Sequence, residues 1–202
     1  RLQVRVKKPP ILMVGFNRRF SPHTLKIKEL IGNLDMPKAL TMTINAGVLD
    51  SSHWTHDPLI GGGRIVGECC HFVDLFRFII GARVKSYTAR KINNKTKDNV
   101  SLVMDFEDGS IGTINYFANG HRGVPKERLE LYCDGRTLQL DNFRLLKGYG
   151  WPKFSRLRTF RQDKGQKNCV QAFIDSVTRG SEPPISSQEI LEVSKIAIEV
   201  AE

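Results

Sequence analysis

The chain has 202 residues, 40% of them hydrophobic and 26% charged. That is the composition of a soluble globular protein with room for one sizeable domain, or for a domain and a fragment of another, and no apolar run approaches the roughly 20 residues of a membrane span. The net charge of +10 is scattered, without an aromatic-rich RNA-binding motif or a helix-turn-helix pattern; it reads as a solvated surface rather than a nucleic-acid partner, and it suits an anionic ligand such as a nucleotide cofactor or a nucleotide-activated sugar.

Arg1 to Lys8 is basic but lacks the apolar stretch of a signal peptide, and the first residue is not Met. The expectation is a cytoplasmic protein of which this is a piece. Cys69, Cys70, Cys133 and Cys169 match no common zinc spacing and are expected as reduced thiols. After Pro9-Pro10, the run Ile11 to Phe16 predicts a buried strand. Ser21 as N-cap and Pro22 at the first helical position open a helix that carries Leu25, Ile27, Leu30 and Ile31 and stops near Gly32. Lys38 to Ala46 alternates as a half-buried strand does. A polar and aromatic loop, Gly47 to Ile60, contains His53, Trp54 and His56 and leads into Gly61-Gly62-Gly63.

The spacing then predicts a helix from about Gly67 to Gly81, with Gly67, His71 and Asp74 on one face and Leu75, Phe78 and Ile79 toward a core. Strand-like segments follow at Val84 to Ile92, Asn99 to Phe106 and Ile111 to Phe117, the last two joined at Asp108-Gly109. Arg128 to Cys133 and Arg136 to Leu140 are joined at Asp134-Gly135, and such short links imply antiparallel pairing. Phe143 to Lys164 reads as one short strand and an irregular excursion. Gln166 to Thr178 predicts a helix with Val170, Phe173, Ile174 and Val177 on its apolar stripe. A last helix from about Ser187 carries Ile190, Val193, Ile196, Ala197 and Val200. The order implies an α+β layer with helices packed on one face of a largely antiparallel sheet.

Met13 to Pro22, then Gly61-Gly62-Gly63 with His71 and Asp74, then two Asp-Gly hairpins and a closing helix, resemble the C-terminal domain of the Gfo/Idh/MocA oxidoreductase family. The form Gly67-Glu68-Cys69-Cys70-His71-Phe72-Val73-Asp74 is most similar to members from polysaccharide-biosynthesis clusters. The resemblance implies a fold like the C-terminal domain of glyceraldehyde-3-phosphate dehydrogenase, with residues 1–20 as the remnant of an N-terminal nucleotide-binding domain, including a Rossmann strand, and 21–202 as a substrate and oligomerisation domain. It further implies a parent NAD(P)-dependent dehydrogenase acting on a sugar, nucleotide-sugar or cyclitol hydroxyl, with a Rossmann domain in cis that binds NAD or NADP and a homo-oligomer formed through the open sheet face. The chain has no Gly-x-Gly-x-x-Gly fingerprint and no Glu-Lys-Pro motif carrying the family's catalytic lysine. Alone it is expected to be inactive.

By the same resemblance His71 is the proton-transfer residue. Alcohol oxidation needs a base for the hydroxyl proton, and imidazole titrates near neutral pH. The family's aspartate four residues earlier is Gly67 here, so Glu68 is the candidate replacement. Asp74 matches a second acidic position, for substrate contact or an ion pair fixing the helix. Asn17 and Arg19 are candidates for the substrate and Arg18 for the cofactor, although an arginine there equally pairs with a carboxylate. Trp54 is a candidate for substrate contact and equally a packing anchor. No metal site is expected, since His53 and His56 form H-x-x-H in a loop. A non-catalytic scaffold or carbohydrate-binding module of the same fold is the alternative.

Overall fold

The computed structural model describes residues 11–32, 34–50, 52–57, 59–93 and 98–202. Among these it holds an open eight-stranded sheet and four α-helices. The strands are β1 (Ala39–Asn45), β2 (Val84–Lys91), β3 (Val100–Phe106), β4 (Ile111–Phe117), β5 (Glu127–Cys133), β6 (Arg136–Asp141), β7 (Leu145–Tyr149) and β8 (Arg156–Arg158). Their order is β2-β3-β4-β1-β5-β6-β7-β8. Every neighbouring pair is antiparallel except β1 with β4, because β1 is inserted between two later hairpin systems.

The pleat divides the sheet into a dry face and an open one. Leu40, Met42 and Ile44, Leu102 and Met104, Ile114 and Tyr116, and Leu129 and Leu131 are buried, while their sequence neighbours look outward. The row Ile111, Thr113, Asn115 and Phe117 therefore belongs to the open face. The Asp134-Gly135 hairpin has both residues at positive φ, as its tight turn requires.

Helices α1 (Pro22–Ile31), α2 (Cys70–Ile80), α3 (Gln166–Arg179) and α4 (Ser187–Ala201) complete the fold. The most enclosed is α2, whose Phe72, Val73, Leu75, Phe76 and Ile79 are at most 1% exposed. It reaches the sheet at Gly112, where a Cβ would lie 2.6 Å from the Phe76 ring, so only glycine lets Phe76 come that close. On α4, which starts at Ser187 as expected with Ser186 as its N-cap, Ile190, Val193, Ile196, Ala197 and Val200 are buried as its periodicity predicts.

Three expectations change. Residues 11–16 form no strand, so the anticipated Rossmann strand is not part of this sheet. Phe16 N bonds to Val14 O and Asn17 N to Gly15 O, both at 2.8 Å, and of the run only Phe16 is buried. An apolar run signals burial, but a strand also needs a partner edge. The segment 143–164 carries two strands, β7 and β8, where one was expected. On α3 the apolar stripe is exposed at Val170, Ile174 and Val177, and the buried residues are Cys169 and Ser176. The residues of Arg1 to Pro10 lie outside the described part. None of the four cysteines is in a disulfide, and no helix among the described residues is long and apolar enough to cross a membrane.

Candidate active site

The triple glycine wraps around a short 3-10 turn, Trp54–His56. Gly61 N and Gly62 N donate to Asp57 O at 2.8 and 3.0 Å, and Gly63 N donates to Thr55 O at 3.0 Å. A Cβ on Gly61 would stand 2.5 Å from Thr55 Cα, and Gly62 and Gly63 have φ of 67° and 86°. Glycine is therefore required by closeness at the first position and by conformation at the next two.

The chain next turns helical, first as a π-helical turn over Ile65–Cys69 and then as α2. The helix thus begins before Gly67, where the spacing put its start. The wide turn holds one extra residue, which rotates what precedes it by about 100° relative to a straight α-helix. The single face expected for Gly67, His71 and Asp74 is broken in this way. Arg64 fixes the start: its guanidinium donates to Gly47 O (2.7 Å), Ala46 O (3.0 Å) and Glu68 Oε2 (3.2 Å).

His71 stands on the first turn of α2, with the Phe16 ring edge-on to it at 5.8 Å. Its Nδ1 is buried and has no hydrogen-bond partner. Burial and the nearby Arg18 guanidinium lower its pKa to about 4, with Glu68 and Glu127 pulling the other way. At neutral pH the imidazole is uncharged and able to accept a proton.

The structure does not bring Glu68 into a hydrogen bond with His71. Its carboxylate accepts from Tyr116 Oη at 2.6 Å, from Arg64, and from Lys126 Nζ in a short contact. Burial works to raise the Glu68 pKa, but Lys126, Tyr116 and Arg64 outweigh it and hold it at about 2. A Cβ on Gly67 would meet only Gly61 O, at 3.8 Å, so no steric demand excludes a side chain there.

The other sequence candidates face inward. Arg18, expected on the cofactor side, makes a bidentate pair with Glu127 (2.8 and 3.2 Å) and lies 4.5 Å over the Phe72 ring. Lys164 Nζ joins Glu127 at 2.7 Å, and Asn17 Nδ2 donates to Lys164 O at 2.6 Å. Arg19 and Asp74, both expected toward the substrate, close on each other in a buried bidentate pair, with Glu189 3.5 Å from Arg19. Trp54 is 59% exposed beside His53, so it plugs no gap in the core. His53 Nδ1 is engaged by Thr55 Oγ1, and no three His, Cys, Asp or Glu side chains among the described residues gather as a metal site would require.

Arg64, Tyr116, Lys126, Glu127 and Lys164 escaped the sequence reading. Tyr116 and Glu127 had a signal, since period-2 alternation puts both on the apolar side of their strands, where a polar group needs a partner.

Comparison with known proteins bears on the family and the fold. An inositol 2-dehydrogenase of Rhizobium meliloti is 25% identical over 187 residues, covering 85% of this chain and 56% of that protein. A myo-inositol 2-dehydrogenase of Thermotoga maritima is 26% identical over 202 residues, covering 89% and 58%. The chain thus spans less than two thirds of the length of these relatives. Among solved structures, an oxidoreductase domain protein from Kribbella flavida superposes with a TM-score of 0.79 at 18% identity, covering 94% of this chain and 63% of the other. A UDP-N-acetylglucosamine 3-dehydrogenase from Acidithiobacillus ferrooxidans gives 0.76 at 15%, covering 95% and 60%. Those identities bear on the fold alone. The family profile of the GFO/IDH/MocA C-terminal domain matches residues 25–139, from α1 into β6 and across the glycine turn and His71, and on that match the chain belongs to this family.

Proposed function

We propose that the chain is the substrate-side part of an NAD(P)-dependent dehydrogenase that oxidises a hydroxyl of a sugar, nucleotide-sugar or cyclitol, with His71 taking the hydroxyl proton. The observation that carries this reading is His71 itself: a largely buried imidazole on the helix that follows the glycine-built turn, with an Nδ1 that no protein group bonds and a lowered pKa that leaves it uncharged at neutral pH. The inositol dehydrogenases among its relatives support the class of substrate.

The described residues do not fit a dinucleotide. They contain no glycine-rich strand-to-helix crossover, the glycine turn follows a loop, and Arg18 is committed to Glu127. NAD or NADP is proposed to be held mainly by a Rossmann domain elsewhere in the parent protein. What this chain supplies is the proton half of the reaction: as the substrate O–H bond breaks, its proton passes to imidazole nitrogen, and burial keeps that nitrogen unprotonated beforehand. Glu68, three residues before His71, is tied to Lys126, Tyr116 and Arg64. Arg19 and Asp74 hold α2 in place; the exposed Trp54, and Asn17, whose side chain donates to Lys164 O, are kept as candidates for substrate contact. The open sheet face is the proposed oligomer interface, and a cytoplasmic setting in polysaccharide biosynthesis is the proposed context.

In the full-length parent, His71→Ala is expected to lower turnover about 100-fold or more, the scale of general-base catalysis. Wild-type turnover in that variant would remove the assignment. A second reading, a non-catalytic scaffold, draws on Gly67 and on the tied state of Glu68; it predicts no dehydrogenase activity even with the Rossmann domain present.

A further inference from the structure

Lys126 leads out of the site. Its ammonium rests on Glu68, and the residue also walls an open cleft of about 400 Å³ together with Asn45, Gly47, Arg122, Pro125 and Asn142. A second cleft of about 390 Å³ shares Pro125 and Asn142 and runs on to Arg144 and Arg158. Both have the size of small-molecule sites. The two linings carry Lys126, Arg122, Arg144 and Arg158 against one carboxylate, Asp141.

The wall is held in place by its own hydrogen bonds. Asn45 N donates to Lys126 O at 2.8 Å, and Asn45 Nδ2 donates to His121 O and Val124 O at 2.8 and 3.1 Å. The loop that carries Arg122 and Lys126 is thereby pinned to the end of β1. Arg144 gives a hydrogen bond to Phe160 O at 3.1 Å, and among the described residues none of the three arginines is in an ion pair.

We propose that the two clefts form a subsite for a phosphate ester or diphosphate on the substrate. Arg122, Arg144 and Arg158 are its donors, and Lys126 marks the end nearest Glu68. Planar guanidinium forks match phosphate oxygens two at a time, which a neutral hydroxyl compound cannot use. The inference rests on reading the chain as the substrate side of a dehydrogenase. It narrows that reading to a sugar or cyclitol that carries phosphate.

The test is titration of the full chain with UDP, glucose 1-phosphate, glucuronate and glucose, followed by calorimetry and by the backbone NMR signals of Gly123 and Asn142. The phosphate-bearing probes are expected to bind and to shift those signals, more weakly at high salt. The double variant Arg122→Gln/Arg158→Gln, altered at exposed side chains, is expected to weaken them about tenfold or more. Tighter binding of UDP identifies a diphosphate spanning both clefts, and equal binding of glucose 1-phosphate a single phosphate in one.

Phosphate probes that bind no better than glucose, or that bind the double variant as they bind the wild type, overturn the subsite. Glucuronate binding as tightly as glucose 1-phosphate overturns the assignment to phosphate. Binding is read without turnover, so the two proposals fail separately. UDP binding by a wild-type parent protein that shows no dehydrogenase activity keeps the subsite and removes the redox reading. Turnover that needs His71, with UDP binding no better than glucose, does the reverse.

Discussion

Glu68 and Asp74 lie three residues to either side of His71, yet they occupy opposite electrostatic settings. The Asp74 carboxylate is wholly buried and closed off by Arg19, whose side chain is 3% exposed. Glu68 is 23% exposed and shares its charge with Lys126, itself 39% exposed and set in a cleft wall. A dry pair offsets its desolvation through fixed bidentate geometry and has no freedom to serve a ligand. A half-wet pair is weaker, and it can exchange partners when a ligand arrives. Sequence spacing alone treats the two acids alike, and burial separates them.

The contrast breaks most directly at Arg19. Arg19→Met strands the Asp74 carboxylate in the core and is expected to cost about 3–5 kcal/mol in chemical denaturation. Arg19→Met/Asp74→Leu removes both charges and should recover much of that loss. A single variant as stable as the wild type would show the pair to be no more than a surface bridge.

Glu68→Gln probes the other side at lower stakes. It keeps a polar group for Tyr116 and gives up the charged contacts with Lys126 and Arg64, so a loss of about 1 kcal/mol is expected, discounted for partial exposure. Because the folded Glu68 pKa is about 2 against an ordinary 4.5, its contribution is full above pH 4.5 and fades as pH falls toward 2. Glu68→Gln should lack that acid limb. A loss as large as that of Arg19→Met would erase the distinction between the two pairs.

Much of the scaffold was legible for the same reason that these two acids were not. Alternation and turn chemistry are local, and they located β1 to β6, both Asp-Gly hairpins and the buried stripe of α4. Partner identity is long-range. The stripes of α3 and α4 have the same periodicity, but only that of α4 is fully covered, and the apolar run at 11–16 has no strand beside it. His71 stood out through the glycine turn ahead of it. Its surroundings come from residues 45 to 93 positions later in sequence, among them Tyr116, Lys126, Glu127 and Lys164, and no spacing rule connects those to α2.

The smallest expected effect in the wild type is also the most informative about His71. Burial and Arg18 lower its folded pKa to about 4 from 6.5, so between those values the unfolded chain takes up the proton first and acidification destabilises the fold. Buried His23, also lowered, acts in the same direction. Burial pushes Asp74 up to about 6 from 3.8 against the pull of Arg19, so between pH 6 and 3.8 the folded chain takes up the proton first and acidification stabilises it. Each group contributes up to about 1.4 kcal/mol per pH unit, so between pH 6 and 4.5 Asp74 offsets His71 while His23 leaves the wild type a net loss of stability on acidification. His71→Gln removes one destabilising contribution, so its stability should rise relative to wild type as pH falls through that window. Asp74→Asn removes the stabilising one, so its stability should fall. Denaturation curves at closely spaced pH values that show parallel slopes for all three proteins would mean that His71 titrates as a solvated imidazole, and that the site is wetter than its geometry indicates.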